Sequence, residues 1–230
     1  MGTYCTVYDV AQVMGLPLRR FTEDSLPTKN TVEEIISMME DYVDRYCRTA
    51  WRERTNYEME GGTRTVSADA GYEYHKLIPV GFSGWLWQGR PVFTKYRPLK
   101  PLDPALGDSV QIFTGMGWEE WLGVKIMSPT ADYWVDYDTG RIFFRRVWWF
   151  SKLQGWTVRL RYRFGYTSVP KDIRYATALL VAAHLVESGD YTNLLPEGAT
   201  NIVVAREKTQ LWTARAHSIL ERYKHVVVPD

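Results

Sequence analysis

Apolar and polar positions follow two rhythms along this chain, which divide it into helical ends and a β-rich middle. Residues 6–17 (TVYDVAQVMGLP) place Val7, Val10, Ala11 and Met14 on one face, between Thr6 and the pair Gly15 and Pro17. That spacing of three and four predicts a short helix with Thr6 as its cap and the Gly and Pro as its stop. After a polar connector (RRFTEDSLPTKN), a second stripe runs through Val32, Ile35, Ile36, Met39, Val43, Tyr46, Cys47 and Ala50 to Trp51. Thr31 and Glu34 have the spacing of a capping box, in which each side chain satisfies an orphaned backbone N–H. A third helix is expected after Pro170, with Ile173, Ala176, Thr177, Leu180, Val181, His184 and Leu185 on one face and Gly189 as a left-handed stop. A fourth spans roughly residues 203–223, with Leu211, Arg215 and Ile219 at repeating positions, before the tail HVVVPD.

Between these lies a different rhythm. Short aromatic and β-branched runs are punctuated by GG, SG, QGRP, SPT and DTG. The strands expected are Glu58–Val66, Tyr74–Pro79, Val92–Tyr96, Val110–Phe113, Tyr133–Asp136, Arg141–Phe144 and Thr157–Phe164. Asp138-Thr139-Gly140 reads as a hairpin turn. In the last strand Val158, Leu160, Tyr162 and Phe164 alternate with Arg159, Arg161 and Arg163. Two long apolar stripes cannot bury themselves alone and most simply pack together, which makes the β segment an insertion. The expected class is therefore α+β: a small helical bundle on residues 1–54 and 165–230, carrying a large inserted antiparallel, Trp-rich β domain on residues 55–164.

Composition narrows the function classes. Across 230 residues the formal net charge is +1 and charged residues make up 24%, so no global charge draws the chain to nucleic acid or membrane. No run approaches the ~18 apolar residues of a membrane span. The N-terminus lacks a basic segment followed by an apolar run, so no signal peptide is expected. Two cysteines, Cys5 and Cys47, are too few for a disulfide framework and are expected as buried or free thiols.

No credible active site emerges. His75, His184, His217 and His225 are widely separated and stand in no metal-ligand spacing; His184, on an apolar face, reads as a core histidine. Gly81–Trp85 (GFSGW) has Trp85 where a nucleophile elbow needs its second glycine, and no strand-to-helix turn surrounds Ser83. Gly115-Met116-Gly117 lacks the lysine and helix of a phosphate loop, and Glu119 and Glu120 have no identifiable partner. No catalysis, cofactor or metal is expected.

Three features remain. Trp85, Trp87, Trp118, Trp121, Trp134, Trp148, Trp149 and Trp156 could form a stacking platform for sugars or bases, or fill a β core and a subunit interface; the second is favoured. Arg159, Arg161 and Arg163 form a comb, and no acid occurs between Asp138 and Asp172, where Arg141, Arg145, Arg146 and Lys152 also lie. Such a stripe could meet phosphates, or be solvated or paired with carboxylates. The preceding stretch holds Asp103, Asp108, Glu119, Glu120, Asp132, Asp136 and Asp138 against Lys100 and Lys125 alone. Adjacent acidic and basic segments suit head-to-tail contact between identical subunits. The interface residues expected on this ground are Asp132, Asp136, Asp138, Arg145, Arg146, Arg159, Arg161 and Arg163.

Three segments, TVYDVAQVMGLP, FTEDSLPTKNTVEEIISMMEDYVDRYCRTAWRER and VRLRYRFGYTSVPKDIRYATALLVAAHLVESGDY, together resemble the head-to-tail adaptor (connector) proteins of tailed bacteriophages and archaeal tailed viruses. The shared patterns are a capped acidic helix and a strand-Gly-Tyr-x-x-x-Pro-helix junction, over roughly residues 4–54 and 156–224; residues 55–155 exceed the minimal adaptor. The resemblance implies a structural virion protein, made in the host cytoplasm, that forms a homo-oligomeric ring, usually of twelve subunits, beneath the portal protein. It would extend the DNA channel and present a platform for a stopper or tail-completion protein. Genomic double-stranded DNA would pass through the lumen without being read, and no membrane is involved. In that family the C-terminal segment reaches the portal, which assigns this contact to Val226, Val227 and Val228; three stiff β-branched residues also suit strand addition to a partner's sheet edge. The competing expectation is a Trp-rich β binding module for carbohydrate or single-stranded nucleic acid on a helical base.

Overall fold

The structure, a computed structural model, describes residues 4–59, 71–77, 79–83, 86–89, 91–145, 157–188 and 202–225, with 79–83, 86–89 and 202–203 described in backbone alone. It is α+β and divides into two compact units. One takes the described residues of Met1–Cys47 and Thr167–Lys224, the other those of Arg48–Tyr166 and His225–Asp230.

The first unit is helical. Helix α1 (Val7–Met14) forms as its pattern predicts: Thr6 and Asp9 make a reciprocal capping box, and Gly15 closes the helix at φ 69°. Its four expected face residues are all buried. Helix α2 (Lys29–Cys47) corrects the expected cap. Thr28, not Thr31, is the capping residue: its Oγ1 accepts from the Thr31 N–H at 3.3 Å, so the expected Thr31–Glu34 box does not form. A threonine three residues upstream supplies the same chemistry one turn earlier. The helix also stops at Cys47, so Ala50 and Trp51, the end of the expected stripe, are buried in the other unit.

Helix α4 (Lys171–Glu187) ends one residue before Ser188, and the expected stop at Gly189 lies outside the described residues. Rather than one apolar face, it buries ten residues, including Ala178, Leu179, Ala182 and Ala183 beyond those expected, because α1, α2 and α5 (Ile202–Leu220) all pack around it. His184 is only half-buried. The stripes of α2 and α4 do share a core, Val32 and Ile36 meeting Ala178, Val181, Ala182 and Leu185. Helix α5 corrects its expected face. Leu211 is 69% exposed and Arg215 is exposed, whereas Ala205, Thr209, Ala216 and Leu220 are buried. Small residues suit close approach to an alanine-rich helix, and a hydropathy stripe does not flag them.

The second unit is antiparallel β. Its elements are β1 (Arg54–Thr55), a helical turn α3 (Asn56–Met59), β2 (Glu73–His75), β3 (Pro79–Ser83), β4 (Leu86–Gly89), β5 (Val92–Phe93), β6 (Ser109–Phe113), β7 (Trp118–Glu120), β8 (Tyr133–Asp136), β9 (Arg141–Phe144), β10 (Val158–Arg161) and β11 (Arg163–Phe164). They form sheets β1-β11, β2-β10-β6-β7, β3-β4 and β5-β9-β8. Strands β8 and β9 fall where expected, joined through Asp138-Thr139-Gly140, with Thr139 donating to Asp136 and Gly140 at φ 66°. The expected strand Glu58–Val66 is corrected at its start: Glu58 and Met59 belong to α3, and residues 60–66 lie outside the described residues. The expected strand at 157–164 is two, split at Tyr162. β10 is central in the four-stranded sheet while β11 pairs with β1.

The β core gathers Val110, Ile112, Trp121, Tyr133, Ile142, Phe144, Val158, Leu160, Tyr162 and Phe164 among others. Within it Glu73 joins two buried partners: Oε1 lies 2.8 Å from His75 Nε2, and Oε2 accepts from the Tyr162 hydroxyl at 2.5 Å. Burial, reinforced by Glu73, pushes the Tyr162 phenol well above its ordinary range. Gly165 follows β11 at φ 117°, where an added Cβ would sit 2.2 Å from the Arg52 carbonyl oxygen. That contact fixes glycine in the Phe164-Gly165-Tyr166 corner.

Candidate functional site

Strand β10 sends successive side chains to opposite sides of its sheet. Val158 and Leu160 are buried, and Arg159 and Arg161 line the opposite, half-exposed face. Register brings Tyr74 and Gln111 beside Arg159, and Ser109 beside Arg161; Glu120 follows Gln111, and Phe113 pairs with Trp118. The Arg159 guanidinium lies 4.5 Å from the rings of both Tyr72 and Trp118, and its Nε donates to Gln111 at 2.7 Å. Arg161 lies over Tyr72 at 4.7 Å and Tyr57 at 5.5 Å. Trp118 in turn packs against Phe113 and edge-on against Tyr74. The comb and part of the Trp group, read as separate features of the sequence, thus meet in one layer of planar groups. Stacking fixes each guanidinium plane, worth roughly 0.5–1 kcal/mol per exposed contact, and reduces the entropy lost when it binds a partner.

Arg163 does something else. Its Nε and Nη2 both donate to Asp108 Oδ2 at 3.1 Å, Nη1 to Glu53 at 3.2 Å, and Nη2 to the Pro101 carbonyl at 2.8 Å. Burial acts to lower its pKa, but the hydrogen bonds to Asp108 and Glu53 outweigh it and hold the guanidinium above its ordinary value. Asp108 is itself buried and also accepts from the Asp103 N–H at 2.8 Å. This third tooth is engaged within its own chain.

The acidic residues are placed similarly. Asp136 accepts from the Thr139 hydroxyl at 2.5 Å, which holds its carboxyl below the ordinary value. Asp132 accepts from the Ile126 N–H at 3.1 Å, and its carbonyl takes the Arg145 N–H at 2.9 Å. Asp138 is exposed and Arg145 half-buried. Arg146 and Val226, Val227 and Val228 lie outside the described residues. The structure brings Asp132 and Arg145 together at the open end of the β8–β9 hairpin, leaves Asp136 at its turn end opposite Arg141, and places Arg159 with Arg161 on the β10 face.

Of the tryptophans, Trp121 and Trp51 are buried, and Trp134 is 37% exposed and stacked on Phe143. Trp85, Trp148, Trp149 and Trp156 lie outside the described residues, and Trp87 is described in backbone alone. Ser83 ends β3, which pairs antiparallel with β4, so a strand follows it and no helix. Sequence reasoning missed Tyr72 and Gln111, which complete the stacked layer, and the buried Glu73–His75 pair. The alternation of Tyr72, Glu73, Tyr74 and His75 is the one signal that could have separated the two faces.

Among the described residues no group of three or more His, Cys, Asp or Glu could hold a metal ion, and no helix is long and apolar enough to cross a membrane. No protein-family model and no curated protein matches the chain. Among solved structures, the chain is similar to one described as the neck of an empty GTA particle computed with C6 symmetry, at 12% identity and a TM-score of 0.45, covering 97% of this chain and 90% of that one.

Proposed function

We propose that this protein is a structural virion component, a head-to-tail adaptor that forms a closed ring below the portal, extends the DNA channel and joins the portal to a stopper or tail protein. The observation that carries the reading is that the segments resembling adaptors, though over 100 residues apart, supply the four helices of one compact unit (α1, α2, α4 and α5) with a shared core. An adaptor body with an inserted β unit accounts for that arrangement. Its work is mechanical. A ring needs heterologous contacts whose rotation closes, and the β unit offers Asp132, Asp136, Asp138, Arg145, Arg146, Arg159, Arg161 and Arg163 for them. Since Arg163, Asp136 and Arg159 all make hydrogen bonds within their own chain, exposed Asp138 is the foremost of these. Val226, Val227 and Val228 would add a strand to the portal. Co-sedimentation with a portal ring tests the reading: binding is expected, and no association at micromolar concentrations would contradict it.

One observation favours a second reading, a binding module: Arg159 held between Tyr72 and Trp118 is also a base- or sugar-stacking arrangement. Micromolar quenching of Trp fluorescence by an oligonucleotide or oligosaccharide would select it.

A further inference from the structure

Helices α2 and α5 end side by side, and the chain leaves the helical unit at both places: after Cys47, the last residue of α2, and after Lys224, just past α5. Two successive turns of each helix meet there. Tyr42 and Tyr46, one turn apart on α2, stand against His217 and Glu221, one turn apart at the end of α5. The Tyr42 hydroxyl lies 2.9 Å from His217 Nε2, and the His217 ring packs on Tyr46 with 5.2 Å between centroids. The Tyr46 hydroxyl donates to Glu221 Oε1. Lys224 completes the group, its Nζ 3.0 Å from the same Glu221 oxygen and 4.8 Å from the centre of the Tyr46 ring. Cys47 Sγ reaches the Leu220 carbonyl at 3.7 Å, one of the carbonyls that a helix end leaves without an intrahelical partner. The charge states agree with this geometry. The Tyr46 hydrogen bond, with Lys224 beside it, holds the Glu221 carboxyl below its ordinary value, and Glu221 pushes the Tyr46 phenol up to about 12.

We propose that Tyr46 and Glu221 are positioning residues for the portal contact: they fix the turn Glu221–Lys224, and so the point from which residues 226–230 extend to a partner. The proposal rests on the tail assignment made above. A helix end held only by its own backbone bonds frays, and this turn has few: the Tyr223 N–H reaches the Leu220 carbonyl at 2.9 Å, and the Lys224 N–H reaches the Glu221 carbonyl at 3.4 Å. The tyrosines of α2 supply what the turn lacks. Root placement matters because the tether is short: five residues span at most about 18 Å when fully extended. A segment that orders on binding loses conformational entropy at that moment, and a fixed root reduces the loss without touching the partner.

The test pairs two measurements on the full chain. The first is amide hydrogen exchange without portal. Tyr46→Phe keeps the ring under Lys224 and loses only the hydroxyl, so it should speed exchange at Tyr223 and Lys224 by about two- to tenfold and leave the amides of α4 unchanged. Glu221→Ala should do the same, the double variant should add little to it, and Glu221→Gln, which keeps an acceptor for Tyr46, should retain most of the protection. The second is co-sedimentation with a portal ring, in which Tyr46→Phe should weaken association by about twofold or more at an unchanged thermal midpoint. Should Tyr46→Phe lose its helical circular dichroism, Glu221→Ala carries the same expectation. Unchanged exchange at Tyr223 and Lys224 in the folded variants would overturn the proposal. Faster exchange with unaltered portal affinity, where deletion of residues 226–230 abolishes binding, would overturn the positioning role alone. Portal affinity unaltered by that deletion would remove the tail assignment, and the positioning role with it.

Discussion

Replacing Arg163 with alanine tests how the β unit is held at the corner where β11 leads toward the helices. Asp108 has a side chain only 2% exposed, and two of the three hydrogen bonds to its Oδ2 come from Arg163, the other from the Asp103 N–H. Arg163→Ala strands that carboxylate with one donor. Leaving a buried charge without its partner costs about 3–5 kcal/mol. The Glu53 contact adds less than about 1 kcal/mol, because Glu53 is 56% exposed and the pair is screened. A loss of about 4 kcal/mol follows, which for a chain of this size lowers the thermal midpoint by roughly 8–16 °C. Urea unfolding followed by Trp fluorescence reads the loss directly. Arg163→Met combined with Asp108→Asn removes both charges, keeps an acceptor for the Asp103 N–H, and should recover at least half of it. A single-variant loss below about 1 kcal/mol would refute the reasoning, since the pair would then be behaving as a solvated surface contact.

Gly165→Ala should destabilise the same unit by about 3 kcal/mol or more, since the added Cβ combines a strained φ with a clash against the Arg52 carbonyl; an unchanged urea midpoint would contradict this. The Tyr133 phenol is pushed by burial from about 10 to about 12, so its folded pKa is raised. The stabilisation is complete below pH ~10 and is lost as pH rises through about 12; alkaline unfolding accompanied by phenolate absorbance checks the sign. Deleting residues 226–230 should leave the thermal midpoint nearly unchanged and abolish portal binding, and unaltered portal affinity would remove the tail assignment.

Much of this fold is legible in short stretches because the information there is local. Helix α1 carries its own cap and stop, and β8 and β9 carry their own turn between aromatic and β-branched runs. The misreadings arise where a distant partner decides. Glu40 and Asp44 look like the polar face of α2, yet both are buried because Tyr4, 36 and 40 residues upstream, donates its N–H to one and its hydroxyl to the other. Helix α5 turns Ala205 and Ala216 inward because the helix it packs on is itself lined with small residues. The Arg comb was visible as a period of two. That Arg159 is stacked and Arg163 neutralised depends on Tyr72, Trp118 and Asp108, about 40 to 90 positions away. Charge runs in a sequence give the sign of a surface but not which of its charges are already paired.

The central claim is that copies of this chain close into a ring at the portal, and native mass measurement of the particle, alone and mixed with a portal ring, tests it most directly. The account predicts that the portal complex gains a single fixed multiple of the 26.8 kDa chain, with twelve copies implied by the adaptor resemblance. A portal whose mass does not change, or a continuous ladder of copy numbers with no closed species, would contradict it.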